Sequence, residues 1–447
     1  MRDLSVGDER KRILYFALPM LIGNVFQLMY NVVDRWVVGQ YVSKQALAAV
    51  GASFPIIFVM ISFFIGIAMG FTIAISQYFG SKNIEKVRRT IDTLYIMMFF
   101  ASVLISIVGI FFSEQIFQLI NLPVEVRPEA NTYFKIYMAG VLLFFGFSGT
   151  SAILRGLGDS KTPLYFMILA TVMNVAFDIL FVLGFGMGVE GVALATIISQ
   201  GGAFVTAIFY LNRTHEVINL SWRKMIFDLD AFRKSVKIGA PIGGQHLFVS
   251  LGMSVMFVLV NPFGTDAVAA YTTVFTISSF VSMPAMNFTN ALSTFVGQNL
   301  GANKPQRVHR GLMETFKMVS VLVVVITAIA IIFRRELVGI FTDDQNVINI
   351  GAEYLSIVGW FFVAFSSMFV IGGVMRGAGD TLVPMIITFI SLWVVRIPAC
   401  YFLSLEYGVT GIWWGIPIAW LVGLVLSFLY YLTGRWKKKA IVKHDQA

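Results

Sequence analysis

Two aspartates set inside otherwise apolar stretches, Asp34 and Asp178, are the residues of this sequence best placed to do chemistry. A charge at the centre of a membrane-spanning helix costs about 2.5–3.5 kcal/mol on insertion scales, so each one present is a functional hypothesis. Asn174 precedes Asp178 by four residues and therefore shares its helix face, which sets an amide oxygen beside a carboxylate. Two carboxylates in a poorly solvated pocket repel unless a proton or a metal cation sits between them. That is the chemistry of a site that takes up H+ or Na+ and releases it when the pocket changes. At 1.5 Å per residue, Asp34 lies about 30 Å along a helix from Ile13 and Asp178 about 24 Å from Thr162, so both reach the outer half of a bilayer and can face one pocket. The competing assignments for Asp34 are an ion pair with Arg35 or a carboxylate snorkelling at the surface. The second half of the chain offers only Arg396 as a charge deep in a span, with His246 as a further titratable group.

The elements that must position these groups follow from composition. Hydrophobic residues make up 57% of the chain and charged residues 13%, against soluble norms of roughly 45–50% and about 25%. Apolar runs fall at 13–39, 46–79, 91–113, 131–154, 162–184, 189–211, 238–260, 267–296, 312–333, 353–375, 382–404 and 411–434, twelve spans bounded by charge or turn residues. The second and eighth carry Pro55 and Pro284 and exceed what a bilayer needs, which predicts tilt or a kink. With the N-terminus inside, 26 of the 33 Lys and Arg fall on the cytoplasmic side, so both termini are expected there, in a cell (inner) membrane protein.

The chain repeats itself. Gln77-Tyr78-Phe79-Gly80 returns as Gln298-Asn299-Leu300-Gly301, and Arg155-Gly156-Leu157-Gly158-Asp159 returns as Arg376-Gly377-Ala378-Gly379-Asp380, both at an offset of 221. Gly188-Val189-Glu190-Gly191 matches Gly408-Val409-Thr410-Gly411 at 220, and Leu18-Pro19 matches Ala240-Pro241 at 222. Six spans per half is an even number, so the halves enter the membrane in the same orientation. The expected fold is all-α integral membrane, with twelve transmembrane helices in two six-helix bundles related by a pseudo-two-fold axis along the membrane normal. The lobes are read as 1–211 and 238–447, the latter ending in a basic tail, joined by a polar cytoplasmic linker at 212–237. Parallel repeats of this kind place a substrate site near the midplane and work by rocking one half against the other.

Other function classes lack residues. Cys400 is the single cysteine, so neither a disulfide framework nor a multi-cysteine metal site is available. His215, His246, His309 and His444 are far apart, without metal-ligand spacing, and no nucleophile motif accompanies them, which argues against an enzyme. The net charge of +9 is scattered over short connecting segments rather than gathered on a face for nucleic acid. The glycines of the two Arg-Gly-X-Gly-Asp turns permit tight turns, and their aspartates can cap the following helices. The 21 Met and 42 Phe are mostly lipid- or core-facing, yet suit an adaptable binding chamber. Met173, Gln245, His246 and Arg396 are the candidate chamber residues.

The two six-helix halves, the Gln-X-X-Gly loops and the Arg-Gly-X-Gly-Asp-X-X-X-Pro turns together resemble the MATE family, the multidrug and toxic compound extruders, over essentially the whole chain. Asp34 on the first span and Asn174-X-X-X-Asp178 on the fifth look like the cation-binding residues of its DinF-like branch, and Thr196 falls where that branch has a polar ligand. The resemblance implies Asp34, Asn174, Asp178 and Thr196 as the coupling set, with Na+ held by Asp34, Asn174 and Asp178 if sodium is the ion. The NorM-like branch carries acidic residues on the seventh and tenth spans, where this chain has Gln245, His246, Ser366 and Ser367, so coupling is expected in the first half alone. The implied activity is antiport of amphiphilic or cationic organic compounds against H+ or Na+, by a monomer, with no cofactor beyond the transported ion. The rival reading is a flippase for lipid-linked oligosaccharide or lipid from the wider superfamily, whose chambers are lined with basic residues.

Overall fold

A computed structural model describes residues 3–214 and 225–443, and all regular secondary structure among them is helical. The first half contains Glu9–Tyr41 (α1), Lys44–Gly80 (α2), Ile84–Leu119 (α3), the bent pair Arg127–Ala139 and Val141–Gly156 (α4), Lys161–Gly184 (α5) and Val189–Thr214 (α6). The second contains Leu229–Phe263 (α7), Thr265–Gly301 (α8), Pro305–Ile332 (α9), Gln345–Gly377 (α10), Leu382–Tyr407 (α11) and Val409–Leu432 (α12). Eleven are single elements long and apolar enough to cross a membrane, and the bent pair makes a twelfth.

Two details differ from the sequence reading. The span at 131–154 is not one straight helix but turns by 49° at Gly140. A Cβ at Gly140 would lie 2.3 Å from the Ile197 side chain, so the absent side chain lets α6 pack into the elbow. Helix α7 begins at Leu229, nine residues before the apolar run, because Asp230 and Lys234 pair at 2.8 Å across one turn and extend the helix beyond the apolar zone. Helices α2 and α8 run unbroken through Pro55 and Pro284. Of the expected linker, residues 215–224 lie outside the described residues, as do His215 and His444.

Contacts divide the chain into two compact units. The first takes in Leu18–Gly243, and the second joins Asp3–Ala17 to the chain from Gly244 onward. Within the first, α2, α3, α4 and α6 pack together and α5 lies on α6; within the second, α8, α9, α10 and α12 pack together and α11 lies on α12.

The repeat extends to the backbone. Lys82 and Asn303, 221 apart, both take the left-handed conformation (φ 60° and 57°), as do Gly158 and Gly379 (φ 79° and 91°). Thr72 Oγ1 donates to the Ala152 carbonyl at 3.0 Å, and at the same offset Ser293 Oγ donates to the Gly373 carbonyl at 2.9 Å. A Cβ on Gly156 would lie 2.9 Å from the Thr72 carbonyl oxygen, and one on Gly377 2.4 Å from that of Ser293, so both glycines permit the same close helix crossing.

Each unit is also completed by the start of a helix that continues in the other. In the second unit, the Leu4 N–H donates to Gln298 Oε1 at 2.9 Å, Lys304 donates to the Ser5 carbonyl at 2.9 Å, and Arg307 pairs with Glu9 at 3.0 Å. In the first, Lys86 pairs with Asp228 at 3.2 Å and the Asp228 N–H donates to Thr93 at 3.0 Å. There α7 also lies directly on α2 through Gly66, Gly70, Gly239 and Gly243; a Cβ at Gly66 would come within 2.2 Å of the Gly243 nitrogen.

Candidate functional site

In the first unit, α1 turns Met29, Val32 and Trp36 outward, each more than half exposed, and turns Asp34 inward, where it is buried. Its neighbour Arg35 points the other way and lies over the Phe54 ring at 5.5 Å. Asp34 is thus directed away from the pairing with Arg35 that its sequence position allowed. Thr196 Oγ1, on α6, faces Asp34 Oδ2 at 3.4 Å and also donates to the Val192 carbonyl at 3.1 Å. Asn174 and Asp178, on α5, are both buried and close enough to the Asp34 carboxyl to interact with it. Directly after Asp178, α5 changes from α to π winding over Ile179–Gly184, a form of widened turn that recurs at functional sites. The structure therefore brings Asp34, Asn174, Asp178 and Thr196 into one cluster.

What the cluster lacks is hydrogen-bond partners. Among the described residues, Asp34 Oδ1, both Asp178 oxygens and both amide atoms of Asn174 are buried with no hydrogen-bond partner. A buried polar atom left unpaired costs roughly 1–3 kcal/mol, more when charged. The unpaired carboxylate and amide oxygens from α1 and α5, with the Thr196 hydroxyl, form an oxygen-rich set that fits a proton shared between carboxyls or a hard monovalent cation. No group of three or more His, Cys, Asp or Glu that could hold a metal ion occurs among the described residues.

The wall around the pair is polar in a way the sequence reading missed. Tyr30, Tyr133 and Tyr137 lie within electrostatic reach of Asp34, and Gln200 Nε2 donates to the Tyr30 hydroxyl at 3.5 Å. The signal was present: Tyr30 and Asp34, Tyr133 and Tyr137, Asn174 and Asp178, and Thr196 and Gln200 are four pairs at a spacing of four. Each pair lies on one helix face, so four helices each turn two polar groups toward the same place.

The profile of the MatE family matches residues 19–180 and again 241–402 of this chain. The chain belongs to the MatE family. The double match, with starts and ends 222 residues apart, is the repeat read from the short motifs, and the family is one of membrane transporters rather than enzymes. "Probable multidrug resistance protein YpnP" of Bacillus subtilis (strain 168) is 31% identical over 97% of this chain and 97% of its own length. A "FAD transporter" of Shewanella oneidensis is 25% identical over 95% of this chain and 94% of its own. Among solved structures, the outward-facing conformation of a multidrug resistance MATE family transporter superposes with a TM-score of 0.91 at 22% identity, covering 97% of this chain and 98% of that one. At that identity the likeness speaks for the fold.

The other candidates in this MatE chain are divided between the units. Met173 belongs to the first, where its Cε would lie 2.6 Å from a Cβ at Gly202, so it packs on α6. In the second unit Gln245 donates to Thr388 Oγ1 at 2.7 Å, while half-buried His246 lies near Arg376. Arg396 interacts with Tyr271 and Cys400, and its buried Nε has no hydrogen-bond partner among the described residues. Of the two Arg-Gly-X-Gly-Asp turns, Asp159 caps α5, accepting from Lys161 N–H at 3.0 Å and Thr162 N–H at 3.1 Å. Asp380 accepts the Tyr430 hydroxyl instead.

Proposed function

We propose that this MatE transporter is a DinF-like secondary antiporter of the cell membrane, both termini cytoplasmic, that exports amphiphilic or cationic organic compounds in exchange for H+ or Na+. The observation that carries the reading is the cluster of Asp34, Asn174 and Asp178, two buried carboxyls and an amide whose oxygens are mostly without donors. Relatives described as multidrug resistance proteins support the cargo class.

The cation acts on the helices that hold it. Asp34 is on α1, Asn174 and Asp178 on α5, and Thr196 on α6. Without a cation, repulsion between the carboxylates works against keeping α1 docked; with one, their oxygens converge and α1 is tied to α5 and α6. A ligand shifts such an equilibrium only by its difference in affinity for the two arrangements, and here that difference lies in the charge neutralised. Each tenfold gradient supplies about 1.4 kcal/mol per cation moved, so a steep gradient drives uphill export of cargo that leaves as the cation enters.

The test is export of a fluorescent cationic dye from proteoliposomes, with a proton gradient or a sodium gradient imposed separately. One gradient should drive export in the wild type and fail in Asp178→Asn. Folded Asp178→Asn protein exporting at the wild-type rate would falsify the coupling role.

A further inference from the structure

Among the described residues, the second unit holds a buried cation without an anion. Arg376, at the end of α10, is only 6% exposed, and among the described residues no carboxylate lies within ion-pairing distance of it. Its guanidinium touches Gln245 Oε1 at 3.5 Å, the limit of a hydrogen bond, and its Nε has no partner. Three other arginines of the chain are well satisfied. Arg127 donates to the Leu122 carbonyl at 2.6 Å, Arg334 to the Ile331 carbonyl at 2.9 Å, and Arg307 meets Asn299, Gly7 and Glu9 at 2.7–3.0 Å.

The surroundings of Arg376 are arranged rather than vacant. Thr388 accepts from Gln245 Nε2 at 2.7 Å, which fixes the amide so that its oxygen faces the guanidinium. His246, next in sequence on α7, is close enough to feel the Arg376 charge and supplies a second ring donor or acceptor. A guanidinium carries five N–H donors in a planar fork that matches the two oxygens of a carboxylate or phosphate. An unpaired buried charge is among the most destabilising features a core can carry, so a residue of this kind suits a place that an anion occupies.

We propose that Arg376, Gln245 and His246 form a binding site, inside the second unit, for the oxyanion of an organic molecule: a carboxylate or a phosphate monoester. Arg376 takes the anion through its fork, Gln245 holds the fork in plane, and His246 donates to a further oxygen. The site is separate from the carboxyl pair of the first unit, and cation coupling can fail without affecting it. A protein with both sites handles molecules bearing a negative group as well as an organic cation. The same chemistry would be met by the headgroup of an anionic lipid.

The experiment uses the full chain in phosphatidylcholine nanodiscs and two probe pairs that differ only by a phosphate: flavin mononucleotide against riboflavin, read by flavin fluorescence, and octyl phosphate against octanol, read by calorimetry. The wild type should bind at least one phosphorylated probe ten times or more tighter than its parent. Arg376→Gln should abolish that preference while leaving affinity for the neutral parent unchanged, and Arg376→Lys should keep part of it. Gln245→Leu, which leaves the charge in place, should lower it several-fold and serves if Arg376→Gln does not fold. Asp178→Asn should keep it, which separates this site from the coupling site. Adding phosphatidylglycerol to the nanodiscs identifies the source: loss of probe binding assigns a lipid headgroup, and unchanged binding a soluble organic anion. The proposal is overturned if neither phosphorylated probe outbinds its parent, or if the preference survives in Arg376→Gln.

Discussion

Asp178 and Asp34 are not equivalent, although they share one cluster. Asp34 has the Thr196 hydroxyl at 3.4 Å, whereas neither oxygen of Asp178 has a partner among the described residues. Replacing Asp178 by Asn removes a charge that nothing in the fold satisfies, so Asp178→Asn should melt at the wild-type temperature or a few degrees above it, even as coupling is lost. Differential scanning fluorimetry of the purified protein reads this, and a large fall in Tm would mean that the carboxylate is structural. Thr196→Val removes one hydrogen bond, worth about 0.5–1.5 kcal/mol. The cation concentration giving half-maximal export should then rise roughly 2- to 10-fold with the maximal rate retained, measured by varying pH or sodium outside the vesicles. A valine that left this concentration unchanged would take Thr196 out of the site.

At the scale of elements, the α2–α7 crossing is the tightest test of the packing. Gly66 and Gly70 meet Gly239 and Gly243, with backbone atoms within 2.2–2.6 Å of where Cβ atoms would stand. Since backbone cannot rotate away as a side chain can, Gly70→Ala should destabilise by about 1–3 kcal/mol, the usual range for overpacking. Gly51→Ala, on the same helix with nothing within 4 Å, is the matched control and should be neutral. The segment leading into α7 makes a second, electrostatic prediction. The Ala231 backbone N–H, and after it Lys86 at 3.2 Å, hold the Asp228 carboxyl below the usual carboxylate range. A depressed folded-state pKa gives stability that is complete above the unfolded value of about 3.9 and is lost as pH falls through the folded value. The Tm gap between wild type and Asp228→Asn should therefore be constant from pH 7 to about 5 and close below about pH 4. A gap that persisted in acid would assign the effect to hydrogen-bond geometry alone.

For the whole molecule, the two halves keep the same architecture and differ in chemistry. The carboxyl pair of the first has no equivalent in the second, where the repeat offset leads from Asp178 to Ala399. Of the arginines there, buried Arg376 repeats half-buried Arg155 of the first half, whereas half-buried Arg396 has no counterpart, the same offset leading back to Val175. The duplicated scaffold thus keeps its carboxyl pair in one copy only. Topology is tested with the buried Cys400 replaced by serine and single cysteines placed at Asp8 or Lys438. Both should react with a membrane-impermeant maleimide in inverted vesicles and not in intact cells. Labelling of one from each side would contradict an even number of crossings.

Twelve spans, the duplication and the two buried aspartates were legible in the residues alone, because each rests on local chemistry. A bilayer demands about 20 apolar residues per crossing, a repeat shows as constant spacing, and a charge in an apolar run stands out wherever its helix points. Asn174 could be joined to Asp178 because four residues of helix fix a common face. The direction in which α1 turns was beyond reach: Asp34 and Arg35 are adjacent, and only packing decides that the acid faces Thr196 while the base lies over Phe54. The tyrosines of α1 and α4 show in the sequence only as members of pairs four residues apart, and where those pairs point is decided by the packing of three other helices that turn polar groups toward them. The elbow at Gly140 and the glycine crossing of α2 and α7 depend on what lies opposite each glycine. Arg376 reads in sequence as the cytoplasmic end of a span; that its guanidinium is buried without an anion among the described residues is a property of neighbours contributed by α7 and α11, and of the fold alone.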